Sequence, residues 1–243
     1  MHNPALVRFP VEAAIIGNMV VGFGELEFLM CILAAKAIKS PELIYKTLYH
    51  LRSTSARVES ADILMRPAFA GVNLAAEQSL ALPAVKNCLS IRNQYAHCNW
   101  ADDSMIGELY FADLQDSADR EEWFYSYKHV DVPLLQTQEA YFGYTRELLM
   151  YLEQELSFRR KGQQHQIFPM PPALDRPPQH NPASQHVPRW ITEDEKARHI
   201  ALALKAERPP GQSKREPSVP RLTEEEWRAK CAREAREGRS PAE

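Results

Sequence analysis

The chain has 243 residues, 44% of them hydrophobic and 25% charged, which is enough apolar material for one packed domain with appendages. Its formal net charge of −3 excludes a protein built around a broad basic surface for nucleic acid, but not an enzyme that touches RNA through a few basic groups in one cleft. The four cysteines, Cys31, Cys88, Cys98 and Cys231, form no C-x-x-C pair, which argues against a disulfide frame or a zinc site and predicts free, mostly buried thiols in the reducing cytoplasm.

The first element predicted is a helix over Val11–Ile38, with Met19, Phe23, Leu26, Met30, Leu33 and Ala37 on one stripe. Its apolar run is interrupted by Glu25 and Glu27, which would be costly inside a bilayer, so a buried helix is expected and no membrane span. Ser40 as a cap and Pro41 at the first position start a helix that reaches about Arg52. A third helix runs over Ala56–Arg66 and is expected to stop at Pro67, and a short helix falls within Gly71–Ser79. Pro83–Ala96 is the fifth, followed by a turn-forming run, Cys98–Asp103.

The pattern then changes. Glu108–Asp113 and Trp123–His129 are rich in aromatic residues and flank a polar, acidic stretch, Leu114–Glu122, which predicts two antiparallel strands. Asp131 as cap and Pro133 near the start open a long last helix, Leu134–Arg160, with Leu148, Tyr151, Leu152, Glu155 and Leu156 near its end and Gly162 closing it.

Six prolines, Pro4, Pro10, Pro41, Pro67, Pro83 and Pro133, precede Gly162, and all the others follow it. A Pro-rich stretch without apolar periodicity does not bury enough surface to offset its ordering entropy. The expectation is therefore a mainly α protein: an up-and-down helical bundle in residues 1–162 with a small β-hairpin insertion at about 106–130, then a Pro-rich, largely irregular tail over 163–243. Within that tail, Thr192 with Glu195 and Thr223 with Glu226 are capping boxes ahead of two short amphipathic helices, Lys196–Glu207 and Trp227–Glu237. Trp190 and Trp227 are its candidate docking anchors.

One segment carries chemistry. Ser90 to Trp100 reads S-I-R-N-Q-Y-A-H-C-N-W, so Arg92, Asn93 and His97 form R-N-x-x-x-H at the end of an apolar helix. Arginine offers a planar, permanently charged fork to phosphate oxygens, and histidine exchanges a proton near neutral pH. Asn93 and His97 are four apart and share a helix face, where the amide can orient the imidazole. Arg92 and His97 are five apart, which on an ideal helix separates them by about 140°. They converge only if the helix ends or distorts near Ala96, or if a second chain completes the site.

This segment resembles the signature of the HEPN superfamily, an arginine followed by a polar residue and then a histidine after four to six positions. The resemblance covers the motif closely and the order of helices in residues 11–160 loosely; the hairpin and the Pro-rich tail depart from the common domain. It implies a homodimer with two motifs facing each other across a cleft. It also implies, for many members, a metal-independent endoribonuclease of toxin–antitoxin or phage-defence systems, with an antitoxin or regulatory protein as a further partner. The 2′-hydroxyl of RNA would attack the adjacent phosphorus, with His97 transferring protons, Arg92 stabilising the phosphorane and Asn93 in support. Other members are non-catalytic modules that bind RNA or protein, and that alternative stays open.

The ordinary readings are a histidine favoured by the helix dipole at His97, a surface arginine at Arg92 and a chance polar neighbour at Asn93. Glu25 and Glu27 are the only charges between Ala13 and Ala35, so one of them is a candidate partner for Arg92, the alternative being an exposed carboxylate at the helix edge. No Gly-rich phosphate loop, Ser–His–Asp set or metal-ligand spacing is present in the sequence, so no cofactor or metal is expected.

Overall fold

The computed structural model describes residues 3–103, 107–114, 118, 126–163, 165–182, 185 and 197. In chain order these form α1 (Pro4–Arg8), α2 (Pro10–Ile38), α3 (Pro41–His50), α4 (Thr54–Ala70), α5 (Ala75–Gln78), α6 (Ala81–His97), β1 (Cys98–Asp103), β2 (Glu108–Asp113), β3 (Tyr127–Val130) and α7 (Val132–Arg159). The fold is mainly helical with a small antiparallel sheet.

Helix α2 is the centre of the bundle and packs against α7, α4, α3 and α6. All six residues of its apolar stripe are buried. By length and composition α2 is also long and apolar enough to cross a membrane. Here its two carboxylates make ion pairs across the bundle, Glu25 with Arg146 of α7 at 2.7 Å and Glu27 with Arg57 of α4. Lys39, in the left-handed region at φ 60°, ends the helix.

Helix α7 is capped as its sequence predicts. The Asp131 carboxylate accepts from the Leu134 backbone N–H at 3.0 Å, and Pro133 fits the first turn because no intrahelical donor is needed there. Leu148, Tyr151, Leu152, Glu155 and Leu156 are all buried, and Gly162 at φ +93° closes the segment.

Several boundaries differ from expectation. A short helix, α1, precedes the first one predicted, capped by the Asn3 side chain, which accepts from the Ala5 N–H at 3.0 Å. Ser40 makes no side-chain cap bond, and α3 stops at His50. Pro67 does not stop α4, which continues to Ala70. Pro67 removes one ladder bond, but Pro67 and Ile63, whose carbonyl is left over, are both exposed, so the defect lies on the wet side of the helix. The short helix within Gly71–Ser79 is a single turn, α5. The motif helix starts at Ala81 and runs one residue past Ala96.

The largest difference is in the sheet. Cys98–Asp103, expected as a turn, is strand β1, and the predicted hairpin is the β2–β3 half of a three-stranded sheet in the order β1-β2-β3. Turn-forming residues such as Asn99 and Asp102 are overridden because β1 pairs along its full length with β2, from Cys98↔Asp113 to Asp103↔Glu108. The glycine at 107, with φ +70°, closes the β1–β2 connection by donating its N–H to the Asp103 carbonyl at 2.8 Å. Strand β2 has the predicted bounds; β3 begins at Tyr127, and most of the stretch predicted before it lies outside the described residues.

The register puts Trp100, Phe111 and Lys128 on one face of the sheet. That face lies on the end of α6, where the Tyr95 ring sits 5.6 Å from Trp100 and 5.7 Å from Phe111 between centroids. Arg8 of α1 donates to Asp102 with Nε at 2.8 Å and ties the N-terminal turn to β1.

Packing does not end at Gly162. Phe168 and Met170 lie against the core, and Pro177 is buried. Gln138, fully buried on α7, donates from Nε2 to the Pro178 carbonyl at 2.7 Å, and the Asn181 N–H donates to the His129 carbonyl at 3.1 Å. The boundary expected at Gly162 thus marks the end of a helix, while residues 167–181 form a strap on the bundle held largely through main-chain groups. The two tail helices expected at Lys196–Glu207 and Trp227–Glu237, with Trp190, Trp227 and Cys231, lie outside the described residues.

Glu155 anchors the start of the strap. Its fully buried carboxylate accepts from the backbone N–H groups of Ile167 at 2.7 Å and Phe168 at 3.0 Å, and from Arg159 at 3.1 Å. Burial alone would push this carboxyl's pKa up, but the two N–H donors and Arg159 outweigh it and hold it below the ordinary 4.5. A depressed folded-state pKa contributes stability that is complete above the unfolded value and is lost as pH falls through the folded one. Glu155→Gln is therefore expected to cost about 2 kcal/mol at pH 7, the range for hydrogen bonds to a charged group. The gap between variant and wild type in urea unfolding should narrow at pH 3; a gap of constant size would overturn the assignment.

Candidate functional site

Helix α6 turns Ala84, Val85, Cys88, Leu89, Ile91 and Tyr95 into the bundle. This leaves Ser90, Asn93 and His97 on its exposed side. With Gln94, these residues form one wall of an open recess of about 590 Å3. The opposite wall is Asp113 and Leu114 at the end of β2, Lys128 of β3 and Gln179 of the strap.

The recess is framed by groups that fix its geometry. The Tyr95 hydroxyl donates to Gln138 Oε1 at 2.6 Å, and burial pushes its pKa up, so it remains a donor. Gln94 Nε2 donates to the Gln179 carbonyl at 2.8 Å, and Gln179 Nε2 donates to Ser90 Oγ at 2.5 Å. The Lys128 ammonium stands 5.9 Å from the centre of the Phe111 ring, which holds its stem along the sheet face.

Of the predicted site residues, the structure brings Asn93 and His97 together and leaves Arg92 outside. Because α6 is unbroken to His97, the separation of about 140° between positions 92 and 97 stands. Arg92 does not line the recess; its Nη1 donates to Asn93 Oδ1 at 2.9 Å. Among the described residues, Asn93 makes no hydrogen bond to His97, and the His97 imidazole makes none to any group, so the expected orienting role of the amide is not realised within one chain.

Glu25 and Glu27 are the clear correction. Neither pairs with Arg92: Glu25 is engaged by Arg146 and Glu27 by Arg57, at the α2–α7 and α2–α4 contacts. Glu25 is an exposed carboxylate at the helix edge, as the alternative expected, and Glu27 is half-buried.

Comparison with protein families, with curated proteins and with solved structures finds no match for this chain.

The described cysteines add no chemistry to the recess. Burial pushes the Cys31 thiol up to about 11 and those of Cys88 and Cys98 up to about 12, which keeps them protonated and poorly nucleophilic. Among the described residues, no three His, Cys, Asp or Glu side chains come together in a metal-binding group.

Sequence reasoning missed Lys128, Asp113 and Gln179. Lys128 had a usable signal: alternation along a β3 strand paired with β2 places it on the face of Phe111. Gln179 had none, since its place depends on strap carbonyls meeting Gln94 and Gln138. What the recess offers is one imidazole, one ammonium, one carboxylate and several amides around a volume suited to a single small polar ligand.

Proposed function

We propose that this chain is an RNA-cleaving enzyme of HEPN type, acting in the cytoplasm as a homodimer within a toxin–antitoxin or phage-defence system. The observation that carries the reading is that Asn93 and His97 of the R-N-x-x-x-H segment open together into a polar recess, with the imidazole unengaged by any described residue. A histidine in a solvent-reachable recess is placed to exchange protons with a ligand.

In this mechanism His97 takes the proton of a ribose 2′-hydroxyl as that oxygen attacks the adjacent phosphorus. The P–O5′ bond breaks, the departing oxygen is protonated, and the products are a 2′,3′-cyclic phosphate and a 5′-hydroxyl. Arg92 lies outside its own chain's recess, so the arginine that stabilises the phosphorane is supplied by the second subunit.

Purified protein incubated with total RNA in EDTA should produce fragments ending in cyclic phosphate, because the motif supplies both proton transfer and phosphate binding. Absence of such ends, or their persistence in His97→Ala at the wild-type rate, would reject the reading.

One observation favours the rival, a non-catalytic HEPN-like module that binds RNA or protein: Arg92 stands outside the recess and donates to Asn93. That reading predicts RNA retention by the intact protein with no new ends.

A further inference from the structure

We infer that Lys128, carried by the inserted sheet, is the recess's own phosphate-binding residue, and that the ligand it holds against His97 is a phosphodiester of single-stranded RNA. The inference rests on the proposed RNA-directed function and deepens it.

Three features lead to it. The recess is bounded on one side by α6 and on the other by β2, β3 and the strap, and among the described residues that line it Lys128 is the one lysine or arginine. Arg92, the cation that the motif would supply, is on another face of α6 and bonded to Asn93. Among the described residues, a phosphate in this recess therefore meets its positive charge at Lys128.

The position of that ammonium is set by the sheet. Lys128 pairs with Phe111 in the β2–β3 register, and its aliphatic stem rests near a ring that is itself wedged between Tyr95 and Trp100. Tyr95 is two residues before His97 on α6, so one aromatic cluster fixes both the helix that presents the imidazole and the strand that presents the ammonium. Asp113 lines the same recess and offsets the lysine's charge, which suits a single phosphate with neighbouring hydroxyl groups better than a long polyanionic track.

An open recess of about 590 Å3 has room for one nucleotide turned out of a single strand, whose bases are not already paired.

The test uses the full chain and a labelled 2′-fluoro-substituted single-stranded oligoribonucleotide, which lacks the attacking hydroxyl and so reports binding alone. Lys128→Met keeps the stem that rests near Phe111 and removes the charge. It is expected to weaken binding about tenfold, as for one lost charge-assisted contact, and to reduce the slope of log affinity against log salt by about 0.7, the increment for one phosphate on a single strand. Lys128→Arg should restore the slope, and the same sequence as a duplex should compete poorly. Unchanged affinity and slope in Lys128→Met, with wild type binding, would overturn the role of Lys128 and leave the RNA reading intact. A wild-type protein that does not bind the oligonucleotide would overturn both. A lower melting temperature in Lys128→Met with equal weakening in Lys128→Arg would show that the residue only packs the sheet.

Discussion

His97→Ala should lower the rate of RNA cleavage by about 10²–10⁴-fold, the usual range for loss of a general acid or base. The same change should barely move the melting temperature. His97 is exposed at the last position of α6 and makes no hydrogen bond among the described residues. Its structural contribution is limited to a charge near the helix C-terminus, about 0.3–1 kcal/mol when protonated. Activity and stability thus separate two roles for this residue. A catalytic histidine gives a large kinetic loss in a folded protein, whereas a helix-end histidine gives a small loss of stability and no kinetic change. Circular dichroism and cleavage assays on one preparation distinguish them.

A second large effect is expected from mixing two inactive proteins. Arg92 and His97 leave α6 on different faces and do not meet within one chain. If each site takes Arg92 from one subunit and His97 from the other, a dimer of Arg92→Ala with His97→Ala collects both lesions in one site. The other site is then intact. Co-refolding should raise activity from near zero to about half the wild-type value per mixed dimer, one site of two in a symmetric pair. A purified mixed dimer that stays inactive rejects the shared site. A protein that is monomeric by light scattering removes its premise.

Much of the bundle was legible because periodicity and caps are local. The stripe from Met19 to Ala37 and the Asp131 cap depend only on residue types a few positions apart, and both are found where the sequence places them. Strand β2 was legible for the same reason. Strand β1 was not, because Asn99, Asp102 and Asp103 prefer turns in isolation and are held extended by partners up to 13 residues away in β2. Pro67 misled because the carbonyl it leaves over, at Ile63, lies on the exposed side of the helix, where solvent can replace the missing N–H.

The site divides along the same line. Asn93 and His97 share a face by helix arithmetic alone. The pairing of Glu25 with Arg146, 121 positions away, follows from which helices become neighbours, and no local pattern encodes that. The strap was hidden more deeply. Much of its fastening runs through main-chain groups, the carbonyls of Pro178 and Gln179 and the N–H groups of Ile167 and Phe168, which carry no residue-specific signal.

Helix α6 gives way to β1 with no linker, His97 ending one and Cys98 opening the other. The length of the chain is therefore fixed at this junction. One codon gained or lost at that junction turns the strand by half a turn and exchanges its two faces. Trp100 would leave Tyr95 and Phe111, and Asp102 would leave Arg8. Related chains should accordingly keep the histidine-to-strand step invariant.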